Sequence, residues 1–122
     1  MKDNTKSEIE ELTDLLIKFR DARNWDQFHS PKNLSMGLAA EAAELLEIFQ
    51  WLTEEQSRCI VNDQEGMALV REEIADVFIY LVRLADKLGV DIEKAVEEKI
   101  KVNERKYPVE LAKGNATKYN KR

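Results

Sequence analysis

Residues 63–89 decide the fold, and they read DQEGMALVREEIADVFIYLVRLADKLG. Asp63 is a residue type that caps helix N-termini, and Gly89 is the type that most often follows a helix C-terminus. Between them, apolar side chains recur at three- and four-residue steps, the period of an amphipathic α-helix. These side chains are Leu69, Val70, Ile74, Val77, Phe78, Leu81 and Leu84. The segment therefore predicts a long helix over about 65–88 with one apolar face.

Two further helices are predicted in the first 52 residues, and no stretch of the chain predicts a strand. The first covers about 8–23, because Ser7 and the glutamate three residues later form a capping box ahead of an apolar stripe. The second begins at Ser30-Pro31, a helix cap followed by proline at the first helical position, and runs to about residue 52.

Two more helices complete the prediction, and the first of them is short. Thr53 opens another capping box, and the helix after it ends near Val61. Asp91 caps the last helix, which ends by Tyr107 because Pro108 disfavours helix at the preceding residue. We therefore expect an all-α fold, a bundle of about five helices. Long apolar stripes on a small chain favour its completion by oligomerisation.

Length and composition indicate one domain. The chain has 122 residues, of which 43% are apolar and 35% charged, with 24 acidic and 19 basic side chains and a net charge of −5. We expect residues 1–122 to form a single domain with a core over about 8–108 and a basic, mobile tail over 109–122. No apolar run approaches the roughly 20 residues of a membrane span, so no membrane partner is expected.

Cysteine content and the first residues predict the compartment. Cys59 is the single cysteine, so the chain cannot form an intrachain disulfide, and the residue is expected to pack as a small side chain. Met1–Asn4 opens a polar stretch, which predicts that there is no secretory signal. A cytoplasmic location is the resulting expectation.

The charge is unevenly distributed along the chain. Residues 41–76 hold ten acidic and two basic side chains, whereas residues 99–122 hold eight basic and two acidic ones. This pattern suggests a cation site in one region and an anion site in another, but composition alone favours ordinary charged helix faces. Nucleic-acid binding by the basic end is opposed by the negative net charge, so no nucleic-acid partner is expected.

Several chemistries are excluded by missing motifs. There is no Gly-rich phosphate loop and no dinucleotide-binding glycine motif, and His29 is the only histidine, so a His-rich zinc site is excluded. The chemistry that the sequence does offer lies in two pairs of carboxylates, and the members of each pair are three residues apart. This spacing places both members of a pair on one helix face. The pairs are Glu41 with Glu44, and Glu73 with Asp76.

Antiparallel packing of the two helices would bring these four carboxylates together. Carboxylates that no cation opposes repel one another and so raise one another's pKa. A hard divalent cation removes that repulsion. Ligands that are all oxygen select Mg²⁺, Mn²⁺ or Ca²⁺ over zinc. Because Glu is a good helix former, the spacing alone also fits ordinary solvated helix faces.

The same motifs, in order and over about residues 8–108, resemble the MazG-like all-α NTP pyrophosphohydrolases, most closely their dCTP pyrophosphatase branch. The matching stretches are Trp25–Leu34, Glu41–Leu45, Phe49–Trp51, Glu73–Val77, Tyr80–Val82 and Lys99–Pro108. The resemblance implies hydrolysis of a (deoxy)nucleoside triphosphate between the α and β phosphates, giving monophosphate and pyrophosphate. It also implies a homo-oligomer, dimer or tetramer, with sites built across subunits.

The resemblance further implies roles for individual residues. Four carboxylates would hold Mg²⁺, with Mn²⁺ possible, and these are Glu41, Glu44, Glu73 and Asp76. The phosphate contacts would come from Lys99 and Asn103, with Arg105 or Lys106 nearby. The candidates for the base and sugar pocket are Trp25, Trp51, Tyr80 and His29. The tail after residue 108 receives no role.

One acidic residue is needed as the base toward the attacking water, and Glu44 is the first choice and Glu41 the second. The substrate preference expected from the resemblance is dCTP, in a house-cleaning role. Broad-specificity hydrolysis by the same family chemistry and a non-catalytic helical interaction module are the alternatives.

Overall fold

The computed structural model describes residues 6–118 and 120. Within them the chain forms six α-helices and two 3₁₀ helices and no strand, which confirms the all-α prediction. The α-helices are α1 (Glu8–Ala22), α2 (Pro31–Phe49), α3 (Glu54–Arg58), α4 (Gln64–Leu88), α5 (Ile92–Lys106) and α6 (Val109–Ala112). The 3₁₀ helices cover Asp26–Phe28 and Cys59–Asn62.

The structure divides after Gly89 into two compact units. The first contains α1 to α4 and the second contains α5 and α6. The single domain over 1–122 stays a prediction. The expectation drawn from Met1–Asn4, and Tyr119, Lys121 and Arg122 of the predicted tail, lie outside the described residues. No helix in the described part of the chain is long and apolar enough to cross a membrane.

Helix starts and stops follow the capping chemistry of the sequence. The Ser7 hydroxyl accepts a hydrogen bond from the Glu10 N–H at 3.2 Å, and the Glu10 carboxylate accepts one from the Ser7 N–H at 3.1 Å. Ser30 caps α2 with Pro31 at its first position. Gly89 ends α4 with a left-handed φ of 67°, a conformation that costs glycine little.

Short segments depart from the predicted boundaries. Helix α2 ends at Phe49 rather than near residue 52, because the chain turns there and the Leu52 N–H donates to the Phe49 carbonyl at 2.9 Å. The predicted third helix is divided between α3 and a 3₁₀ helix. In the predicted tail, α6 begins directly after Pro108, and four residues are too few for hydrophobic periodicity to indicate a helix.

Helices α2 and α4 form the most extensive contact of the first unit, and α1 also packs against α4. A Cβ added to Gly37 on α2 would lie 2.4 Å from Tyr80 Cε1 on α4, so the close approach requires glycine here. One turn further along α2, Glu41 meets Glu73, which precedes Tyr80 on α4. The two helices are therefore antiparallel, which is the packing that was expected to bring the carboxylate pairs together.

The core of the first unit is small. Leu34 and Val82 are each 1% exposed, while many large apolar side chains remain accessible to solvent. The accessible set includes Leu12, Leu15, Phe19, Leu46, Trp51, Leu69 and Ile74. Exposed apolar surface of this extent is typical of chains that associate.

Candidate functional site

Three carboxylates converge where α2 and α4 face each other. Glu41, Glu73 and Asp76 each offer an oxygen, and these oxygens lie within 4.8 Å of one another. We call this group the carboxylate cluster. All three side chains are half-buried.

Two carboxylate oxygens of the cluster, Glu41 Oε2 and Glu73 Oε2, are buried without a hydrogen-bond partner in the described part of the chain. Burial raises the pKa of Glu41 to about 7, and hydrogen bonding to Glu73 and Glu44 and the charges of Glu44 and Asp76 add to the effect. Burial also raises the pKa of Glu73, with the charges of Glu44 and Asp76 acting in the same direction.

Glu44 lies beside the cluster and is more exposed than its three members. It is close enough to raise the pKa of both Glu41 and Glu73. The structure thus brings all four predicted carboxylates into one neighbourhood. Two of their oxygens are buried without a partner among the described residues, and every potential ligand atom in the group is an oxygen. Both features fit a hard divalent cation such as Mg²⁺. Its identity and the roles of the four residues stay predictions.

A cavity of about 280 Å³ opens beside the cluster, with Glu41 and Asp76 in its wall. Among the predicted base and sugar residues, Trp25, His29 and Tyr80 line it. The residues that sequence reasoning did not select are Leu16, Phe19, Arg20, Leu34, Ile79 and Arg83. Trp51 is absent from this lining; it lies in the turn after α2 and is 86% exposed.

The aromatic wall of the cavity comes from α1 and the loop after it. Trp25 packs edge-to-face against Phe19, with ring centroids 5.7 Å apart and planes at 70°. The Arg23 guanidinium lies 3.7 Å above the Phe19 ring. On α4, Tyr80 lies against α2 at Gly37. Aromatic faces of this kind can stack on a planar ligand.

Asp26 fixes the loop that carries Trp25 and His29. Its carboxylate accepts from Lys87 Nζ of α4 at 2.6 Å and pairs with Arg20 Nη1 of α1 at 3.0 Å. The hydrogen bond from Lys87 is the main cause that lowers the pKa of Asp26. We call this group the Asp26 clip. It ties the loop to two helices and so positions one wall of the cavity.

His29 is half-buried, and its Nδ1 has no hydrogen-bond partner in the described part of the chain. Burial lowers the pKa of its imidazole, and the cations Arg83 and Arg20 lower it further. The ring is therefore neutral at pH 7. This favours a packing or hydrogen-bonding contact in the cavity over a charged contact with phosphate.

The predicted phosphate residues all lie on α5, in the second unit. Lys99 and Asn103 are four residues apart on one face, and both are exposed. Arg105 and Lys106 form the last turn of the same helix. Their contact with a phosphate stays a prediction.

Comparison with known proteins gives a consistent result. The model of the MazG-like family matches residues 38–121. The proteins named dCTP pyrophosphatase 1 from Bos taurus and Homo sapiens are each 40% identical to the chain over 111 residues, 91% of its length. The chain spans 66% and 65% of these two relatives, just under two thirds of their length.

A solved structure is similar over nearly its whole length. The crystal structure of a pyrophosphatase from Archaeoglobus fulgidus is 43% identical, with a TM-score of 0.79. The alignment covers 88% of this chain and 99% of that one. These matches confirm the resemblance that the motifs predicted.

Proposed function

The chain belongs to the MazG-like family, and from this premise we propose that it is a Mg²⁺-dependent nucleotide pyrophosphohydrolase. The reaction cleaves a (deoxy)nucleoside triphosphate between the α and β phosphates and gives a monophosphate and pyrophosphate. The observation that carries the proposal is the carboxylate cluster, with its two unpartnered buried oxygens, in the wall of an aromatic cavity. The names of the two mammalian relatives and the archaeal one support the reaction class.

The carboxylate cluster and Glu44 would hold the cation, and Mn²⁺ is a chemically reasonable substitute. When bound, Mg²⁺ neutralises phosphate charge and polarises the phosphorus that water attacks. Glu44 accepts the proton of the attacking water, because it lies beside the cluster yet is exposed enough to meet that water. Glu41 is the second choice for this role.

The remaining residues position the substrate. Trp25 and Tyr80 stack on or flank the base, and His29 contacts the sugar or base as a neutral ring. Lys99 and Asn103, with Arg105 or Lys106, hold phosphate oxygens and receive the charge that grows on the leaving pyrophosphate. Trp51, which is highly exposed, completes the pocket of another subunit in a dimer or tetramer.

The proposed substrate is dCTP, and the proposed location is the cytoplasm. Support for dCTP comes from the names of the relatives, and support for a homo-oligomer from the exposed apolar side chains of the first unit. A broad-specificity enzyme would hydrolyse several nucleotides at similar kcat/KM. A non-catalytic module would hydrolyse none.

The deciding experiment is a panel of ribo- and deoxynucleoside triphosphates with Mg²⁺, run in water enriched in ¹⁸O. We expect pyrophosphate as product, with the label in the monophosphate, because water attacks the α phosphorus. Release of orthophosphate would contradict cleavage between the α and β phosphates. No turnover of any nucleotide, together with no thermal stabilisation by Mg²⁺, would favour the interaction module.

A further inference from the structure

Arg83 is the charged residue that the core of the first unit contains, at 2% exposure. Its Nη1 donates to Asp86 Oδ2 at 3.1 Å. Nε and Nη2 are shielded from solvent and have no hydrogen-bond partner among residues 6–118 and 120. A buried guanidinium with two unused donors is costly, so a partner for them is expected.

The position of Arg83 suggests where that partner comes from. The residue lines the same cavity as Trp25 and Tyr80, and it lies on the face of α4 that also carries Asp76. Seven residues separate Asp76 from Arg83, about 10 Å along the helix at 1.5 Å per residue. A nucleotide whose phosphates lie at the carboxylate cluster would extend its base toward Arg83.

The free edge has a defined hydrogen-bonding pattern. Asp86 occupies Nη1, and the N–H groups of Nε and Nη2 are parallel donors on one side of the planar group. Two parallel donors match two adjacent acceptors. Cytosine presents such a pair at O2 and N3. Uracil and thymine carry a hydrogen on N3, so their N3–H would face an N–H of Arg83, and two donors cannot form a hydrogen bond.

We propose that Arg83 is a specificity-determining residue that selects cytosine by bidentate hydrogen bonds from Nε and Nη2 to O2 and N3. Because Nε and Nη2 are shielded from solvent, the proposal requires the guanidinium to turn this edge toward the base, with the Nη1–Asp86 pair retained. This inference rests on the proposed function. Guanine offers a comparable acceptor pair at O6 and N7, and the substrate named by the relatives favours cytosine over it.

The test compares full-length wild type with Arg83→Met, Arg83→Lys and the control Arg71→Met. Methionine keeps an unbranched apolar stem, and lysine keeps the charge but loses the paired donors. Arg71 lies exposed on the same helix and has no assigned role. For each variant, kcat/KM is measured with dCTP, dTTP, dUTP and dGTP, and dCTP and dTTP binding is measured by calorimetry in Ca²⁺.

We expect wild type to prefer dCTP, and both Arg83 variants to lose about 10- to 100-fold in kcat/KM and affinity for dCTP. Their values for dTTP and dUTP stay within about twofold, since these bases do not use the donor pair. Arg71→Met leaves all values unchanged. Circular dichroism and thermal unfolding confirm that each variant is folded.

Equal losses for dCTP and dTTP would overturn the inference, because they indicate a structural role. Retained preference in Arg83→Lys would also overturn it, since charge alone would then suffice, and a loss confined to dGTP would replace cytosine with guanine. If wild type hydrolyses no nucleotide, the proposed function fails separately. Calorimetry then decides, and equal or absent binding of dCTP and dTTP rejects the role of Arg83.

Discussion

The carboxylate cluster and the Asp26 clip are two acidic sites in one helical unit, and they differ in what faces them. The cluster lies among other carboxylates, the pKa values of Glu41 and Glu73 are raised, and one oxygen of each is buried without a partner among the described residues. The clip is paired with two cations, and the pKa of its carboxylate is lowered. Only the first gains a large electrostatic benefit from an added cation.

The comparison separates a binding site from a structural contact. The clip is complete within the protein and holds the Trp25 loop to α1 and α4. The cluster is incomplete without a cation, and the repulsion between its carboxylates destabilises the metal-free protein. Holding like charges together at a functional site lowers the stability of the protein and serves its activity.

The largest expected effect is that of Glu73→Gln. We expect kcat/KM to fall at least about 10²-fold, since the substitution removes a charged ligand that stabilises the reaction. The melting temperature measured in EDTA should rise, because one of the repelling charges is gone. Pyrophosphate release and calorimetric unfolding measure the two effects.

Glu72→Gln is the matched control for that variant. Glu72 is adjacent in sequence but about 100° away around α4, and it is exposed. We expect neither activity nor stability to change appreciably. A comparable loss of activity in the control would show that charge on α4 in general, rather than the cluster, sets the rate.

The next effect is the pH dependence of stabilisation by Mg²⁺. The pKa of Glu41 is raised from 4.5 to about 7 in the folded protein. The metal-free protein therefore loses stability as pH rises from about 4.5 through 7, because the unfolded chain ionises first. Mg²⁺ should raise the melting temperature more at pH 8 than at pH 6, since cation and proton compete.

Glu41→Gln checks the source of that pH dependence. Without the titrating carboxyl, the fall in stability between pH 5 and 8 in EDTA should become shallower. An unchanged slope would mean that another group binds the proton in the folded state. Thermal unfolding in EDTA at matched ionic strength is the measurement.

The clip should respond to pH with the opposite sign. The pKa of Asp26 is lowered by Lys87 and Arg20, so its stabilisation is present above its ordinary value of 3.8 and is lost as pH falls below it. Asp26→Asn should therefore lower the melting temperature at pH 7 and lower it by less at pH 3. Equal destabilisation at both pH values would contradict an ionic clip.

The smallest effect is that of the clip on substrate binding. Asp26→Asn loosens the loop that carries Trp25 and His29, so KM should rise about two- to fivefold, while kcat stays near its wild-type value. Steady-state kinetics at saturating Mg²⁺ measure both constants. A fall in kcat as large as that of Glu73→Gln would mean that Asp26 belongs to the catalytic machinery.

Much of the fold follows from local signals. Ser7, Ser30, Thr53, Asp63 and Asp91 each cap the helix that their sequence context predicted, because a cap needs only groups within three residues. The end of α2 and the four-residue α6 were not predicted. A turn bond and a single helical turn leave no periodic pattern.

The candidate site was predictable where spacing carries the information. Residues three apart share a helix face, so each carboxylate pair was visible in the sequence. Arg83 was missed because a charge between Val82 and Leu84 looks like an exposed side chain that interrupts an apolar run. Its seven-residue spacing from Asp76 was the signal that could have identified it.

The sequence by itself determined the helices, the two carboxylate pairs and the family resemblance, since these depend on neighbours along the chain. Only the tertiary structure decided that Glu41 meets Glu73 across two helices, that Asp26 joins α1 to α4, and that Arg83 is buried beside a cavity. The physical reason is that burial and charge environment arise from contacts between segments far apart in sequence. Those contacts raise the pKa of one carboxylate and lower that of another.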